Sequence, residues 1–216
     1  MSKSEVIKQI LAIGVIPVVR ATTAEEAMRA IDAICEGGIS VLEITMTVPN
    51  AFSLIEQVTT RFGSDALVGA GTVLDAETAK SCIASGARFI VSPALNLETI
   101  AYCREQDVAV MPGALTPTEV VQAWNAGADF VKVFPAGAVG GPSYLKSLKA
   151  PLPHIELVPT GGVSLKTAAD FIRAGAAALG VGADLVDVKA ESSLITERAK
   201  QFVEIVRQAR SDLSRG

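Results

Sequence analysis

Apolar residues in this chain come in short unbroken runs that recur on a regular beat. β-rich runs occupy residues 15–19, 41–46, 66–70, 89–91, 108–111, 130–133, 156–159 and 177–180. Each begins roughly 20–26 residues after the last, about one compact strand-plus-helix unit. Between the runs the apolar positions change to helical spacing, as in residues 24–35, 76–84, 117–125 and 166–173. The strands read as apolar on both faces, as parallel strands do when both sides are covered. Punctuation keeps the same beat. Helical segments end on Gly37-Gly38, Gly86-Ala87, Gly127-Ala128 and Gly175-Ala176, and starts are marked by Thr116-Pro117 and by Ser164. Such an alternation fits a closed barrel or an open doubly wound sheet. Eight units, with no dinucleotide fingerprint after the first strand, favour a single (β/α)₈ TIM barrel domain over residues 1–216. The chain is short for that fold, which typically takes about 250 residues.

Composition narrows the function classes. Half the residues are hydrophobic and 19% are charged, enough for a large core. The apolar runs are broken by Glu43, Lys132, proline or glycine before the roughly 18 residues a membrane span needs. Residues 1–12 carry Lys3, Glu5 and Lys8 and lack the apolar stretch of a secretory signal. A net charge of −4 without a basic stripe argues against nucleic acid as a partner. Three widely spaced cysteines suit neither a disulfide framework nor a metal knuckle and fit a reducing, cytoplasmic setting. A single histidine, His154, gives no basis for a metal cofactor. The chemistry is left to lysine, carboxylates, arginine and backbone groups.

In such a barrel the reactive residues lie toward the C-terminal strand ends and point inward. Lys132 stands between Val131 and Val133 in the sixth run, where an ammonium is costly to bury and a neutral amine is what imine formation needs. The alternative is a lysine that snorkels from a strand edge, and a closed barrel has no edge. Glu43, between Leu42 and Ile44, poses the same problem in the second run; it is either a structural ion-pair partner or a general acid/base beside the amine. The seventh and eighth runs end in Thr160-Gly161-Gly162 and Gly182-Ala183, where loops of such barrels commonly offer backbone N–H groups to phosphate. Arg20 ends the first run and suits a carboxylate clamp or a plain surface position. Thr45, Thr47 and Thr72 add hydroxyls near strand ends. Trp124, Cys103 and His154 read as structural or exposed.

Six stretches, Val41-Leu42-Glu43-Ile44-Thr45, Gly69-Ala70-Gly71-Thr72-Val73-Leu74, Val91-Ser92-Pro93, Met111-Pro112-Gly113, Lys132-Val133-Phe134-Pro135 and Pro159-Thr160-Gly161-Gly162, occur in order along nearly the whole chain. Together they resemble the 2-keto-3-deoxy-6-phosphogluconate aldolases, a family that includes 4-hydroxy-2-oxoglutarate and phosphogalactonate aldolases. The resemblance implies a class I aldolase that releases pyruvate and glyceraldehyde 3-phosphate from a 2-keto-3-deoxy-6-phospho sugar acid. It implies no metal and a homotrimer. Lys132 then matches the Schiff-base lysine and Glu43 the acid/base. Thr72 and Pro93 match the pyruvate pocket, Phe134 the ring beside it, and Thr160, Gly161, Gly162 and Gly182 the phosphate side. Two positions depart. Where some members carry a carboxylate-binding arginine this chain has Thr47, for which Arg20 is the candidate substitute, and Ala183 replaces a frequent serine. The remaining alternatives are an aldolase for unphosphorylated 4-hydroxy-2-oxoglutarate, a phosphogalactonate-type aldolase, and a phosphate-binding barrel with other chemistry.

Overall fold

In the computed structural model, which describes residues 1–215, the apolar runs become parallel strands ringed by helices. The strands are β1 (Val15–Val19), β2 (Val41–Thr45), β3 (Leu67–Gly71), β4 (Phe89–Val91), β5 (Ala109–Met111), β6 (Gly113–Ala114), β7 (Val131–Val133), β8 (Leu157–Pro159) and β9 (Leu179–Val181). Hydrogen bonding runs in the order β5-β4-β3-β2-β1-β9, and separately β6-β7-β8. Parallel bridges at Leu157–Ala176 and Thr160–Gly180 join β8 to β9. β5 and β6 are two halves of one strand, so the ring closes as the expected eight-stranded barrel. Its fifth strand breaks at Pro112, which has no N–H for the ladder. The Pro112 carbonyl still accepts from Lys132 N at 2.9 Å.

The helices are α1 (Lys3–Ile13), α2 (Ala24–Glu36), α3 (Ala51–Phe62), α4 (Ala76–Ala84), α5 (Leu97–Glu105), α6 (Pro117–Asn125), α7 (Pro142–Lys149), α8 (Ala168–Arg173) and α9 (Ser192–Arg215). Thr116 caps α6 in a reciprocal box with Glu119, as its spacing to Glu119 allows. Ser164 does not play the corresponding part for α8. Thr167 is the cap residue there, and its hydroxyl accepts from Ser164 N at 2.9 Å, so residues 164–167 form a turn before the helix. None of the nine described helices is long and apolar enough to cross a membrane.

α1 is the element that the strand beat does not announce. Ser2 and Glu5 form its capping box, and it buries Val6 and Ile10. These two join a cluster with inward-facing Ile16, Val41, Leu67, Phe89, Met111, Phe130 and Val158. Lys3 pairs with Asp129 at 2.9 Å, just before β7, and Gln9 bonds Ser40, just before β2, at 3.3 Å. α1 therefore plugs the N-terminal end of the barrel and leaves the C-terminal end open. Inside, two glycines of β3 make room for large neighbours. A Cβ on Gly69 would sit 2.4 Å from the Phe89 ring, and one on Gly71 would sit 2.0 Å from Glu43 Oε1.

Candidate active site

The inward parity of β2 and β7 aims Glu43 and Lys132 at one another. Glu43 lies opposite Val18 and Gly69 in the ladder, and Lys132 opposite Gly113 and Val158. Both are almost fully buried, at 2% and 3% exposure, and Lys132 Nζ stands 3.6 Å from Glu43 Oε1. That separation is an ion-pair distance but too long for a strong hydrogen bond. Among the described residues Glu43 Oε1 has no hydrogen-bond partner. A buried carboxylate oxygen left open beside an amine is costly unless a ligand or water completes it. The Phe134 ring, two residues beyond Lys132 on the same inward face, lies with its centroid 5.5 Å from Nζ.

Phe134 also forms the wall of a cavity of about 710 Å³ at the open end of the barrel. Thr160, Gly161 and Gly162 line it from the end of β8, and Gly182 and Ala183 from the end of β9. Arg20, exposed one residue past β1, completes that side. The β8 loop is held open by glycine. Gly161 and Gly162 have φ of 82° and 78°, and a Cβ on Gly162 would lie 2.6 Å from Gly137 Cα. The backbone N–H groups of Gly162, Val163 and Ala183 donate to no protein acceptor among the described residues. Successive unpaired N–H groups around a concavity suit an anion.

Five candidate residues lie outside that cavity lining: the buried pair Lys132 and Glu43, and Thr47, Thr72 and Pro93. Thr47 is exposed and its hydroxyl is 2.7 Å from that of Thr45, which donates to Val19 O at 3.0 Å. The Thr45 proton being committed, Thr47 donates to Thr45 and offers only lone pairs outward. Thr72 follows β3 with φ 58°, an unusual conformation for a β-branched residue. Pro93 follows β4, and its backbone packs so closely on Gly113 that a Cβ there would approach within 2.2 Å. It is thereby held against β6, which pairs with the strand of Lys132. Other lining residues were not singled out as ligand contacts by the sequence: Val18, Val163, Ser164, Asp184 and Val186. Val18 had a usable signal, since it shares the parity of Arg20. The three thiols are no rivals as nucleophiles. Burial pushes Cys35 up to about 11 and Cys82 and Cys103 up to about 12, so all stay protonated near neutrality. Trp124 meets His154 edge-on at 6.1 Å, a packing contact.

The family profile described as KDPG and KHG aldolase matches residues 6–207. The chain belongs to this aldolase family. It is similar to the 2-dehydro-3-deoxy-6-phosphogalactonate aldolase of Escherichia coli K12, with 35% identity over 195 residues, 90% of this chain and 95% of that one. It is also similar to the 2-dehydro-3-deoxy-phosphogluconate aldolase of Treponema pallidum, with 36% identity over 160 residues, 74% of this chain and 76% of the other. Among solved structures, KDPG aldolase from Legionella pneumophila, with pyruvate captured as a covalent carbinolamine, superposes with a TM-score of 0.78 at 28% identity. That match covers 97% of this chain and 98% of the other.

Of the two inward glycines of β3, Gly71 is the one that leaves room for the Glu43 carboxylate. Gly71→Ala would drive a methyl group into the Glu43 carboxylate. We expect kcat to fall by about 10–100-fold, because a displacement of an ångström in a reacting group is enough for that. Steady-state pyruvate release, with denaturant unfolding as a check on the fold, measures it. Near-normal kcat in a folded variant would show that the Glu43 position is not critical.

Proposed function

We propose that the whole chain acts as a single-domain class I aldolase that forms its imine on Lys132 and cleaves a 2-keto-3-deoxy-6-phospho sugar acid. Pyruvate and glyceraldehyde 3-phosphate are the products. The observation that carries this reading is the buried pair, Lys132 Nζ 3.6 Å from an otherwise unpartnered Glu43 Oε1, beside the cavity walled by Phe134. The neutral amine of Lys132 attacks the C2 ketone to give a carbinolamine, which loses water to a protonated imine. That imine accepts the electron pair of the C3–C4 bond while Glu43, through a water, takes the proton of the C4 hydroxyl. The aldehyde leaves, the enamine takes a proton at C3, and hydrolysis of the pyruvate imine returns the amine.

Arg20 is assigned to substrate anion binding, because it is the cation in the cavity lining. Thr72, Pro93 and Thr47 are assigned to the pyruvate side. Thr160, with the bend at Gly161, the open N–H groups of Gly162 and Ala183 and the turn at Gly182, receives the phosphate. The described protein needs no cofactor for these steps. We further propose a cytoplasmic homotrimer. Phe52, Leu74 and Leu97, exposed at 41%, 57% and 57% on or next to three successive βα loops, give it an apolar surface to cover. The match to a phosphogalactonate aldolase over 90% of the chain supports a second reading, the C4 epimer of the same substrate.

Pyruvate release from 2-keto-3-deoxy-6-phosphogluconate, its phosphogalactonate epimer and 4-hydroxy-2-oxoglutarate tests the substrate assignment. The phosphogluconate should give the highest kcat/KM, at least about tenfold above 4-hydroxy-2-oxoglutarate, as several anion contacts warrant. Equal or faster cleavage of 4-hydroxy-2-oxoglutarate would overturn the phosphate assignment, and a faster epimer would replace it with the second reading.

A further inference from the structure

The end of the cavity assigned to phosphate also carries a carboxylate. Asp184, two residues beyond Gly182, is exposed and lines the cavity with Gly182, Ala183 and Arg20. Its Oδ2 accepts from the backbone N–H of Leu165 at 3.0 Å. Leu165 lies three residues past Gly162, so this bond ties the loop after β9 to the glycine loop after β8. The same bond holds a carboxylate in the lining that Asp184 shares with Gly162, Val163 and Ala183. Among the described residues no ion pair joins Asp184 to Arg20 or to another cation.

We propose that Asp184 is a specificity-determining residue that moderates selection for a terminal phosphate. The N–H groups draw the dianion in by dipole attraction. Asp184 opposes it by like-charge repulsion, and it does not oppose a neutral hydroxyl in the same place. Ala183 sharpens the balance, since it has no hydroxyl with which to add a further donor to the phosphate. The site therefore takes both 6-phosphorylated and unphosphorylated 2-keto-3-deoxy acids, with a narrower gap between them than the loop alone would set. Asp184 has a second, mechanical part in holding the two loops together, and the two parts separate by substitution. Asparagine keeps an oxygen for Leu165 N–H and removes the charge; alanine removes both.

This inference rests on the aldolase reading above. The test compares kcat/KM for 2-keto-3-deoxy-6-phosphogluconate and 2-keto-3-deoxygluconate in the wild-type protein and in Asp184→Asn. The phosphorylated-to-unphosphorylated ratio should rise about three- to tenfold in the variant, mainly through KM. Raising the salt to about 0.5 M should shrink the difference between the two proteins, because exposed charges are then screened within about a Debye length. A positional effect alone would not respond in this way. Asp184→Ala should lower kcat on both substrates. A ratio unchanged within about twofold in a variant that still cleaves, or a difference that survives high salt, overturns the role of the charge and leaves the aldolase reading standing. If the wild-type protein cleaves neither acid and forms no pyruvate adduct, the aldolase reading itself fails, and this inference with it.

Discussion

Lys132→Met abolishes cleavage: kcat/KM falls by more than about 10⁴-fold, with no residual imine route, since no other side chain in the site carries an amine. The cavity lining offers only Arg20 as a further cation, and a guanidinium does not form the imine. The substitution also leaves the Glu43 carboxyl, 2% exposed, without its cation. Removing one member of a buried pair costs about 3–5 kcal/mol. The single variant should thus be inactive and less stable, and adding Glu43→Gln should recover part of the stability and none of the activity. Urea unfolding of the single and double variants measures the first effect, and pyruvate release the second. Retained cleavage in Lys132→Met would end the imine mechanism.

Glu43→Gln separates the two halves of the cycle. The amide keeps the shape of the side chain but cannot take the C4 hydroxyl proton, so kcat for cleavage should fall about 10²–10⁴-fold. Imine formation with pyruvate needs no C4 chemistry, and the variant should still be trapped on Lys132, more slowly. Trapping without cleavage is the signature that assigns Glu43 to proton transfer. If cleavage falls less than about tenfold, the 3.6 Å approach to Lys132 is a structural ion pair and another group moves the proton.

Lys132 and Glu43 were legible in the sequence because each breaks an apolar run, and a charge in such a place needs a reason. The barrel was legible for a related cause: its strands are buried on both faces, so each reads as an unbroken run, and glycines such as Gly127 and Gly175, at φ of 97° and 96°, close the helices between them. What escaped depends on contacts distant in sequence. α1 has its purpose only once the barrel exists, since Val6 and Ile10 are buried in one cluster with residues from six strands and with Phe130 just before β7. Gly69 and Gly71 are conspicuous as a motif, but the sequence does not say that Phe89 and Glu43 fill the space they leave. The split of the fifth strand was available in Pro112. Asp184 was passed over because an exposed acid after a glycine loop has no local oddity; it gains meaning only from its bond to Leu165, 19 residues away.

The proposed mechanism stands on the amine of Lys132 forming the covalent intermediate. The direct measurement is borohydride reduction of the protein incubated with pyruvate, followed by digestion and mass mapping of the modified peptide. A reduced pyruvate adduct is expected on the peptide containing Lys132 and on no other lysine. A folded protein that yields no adduct, or an adduct on a different lysine, would contradict that mechanism.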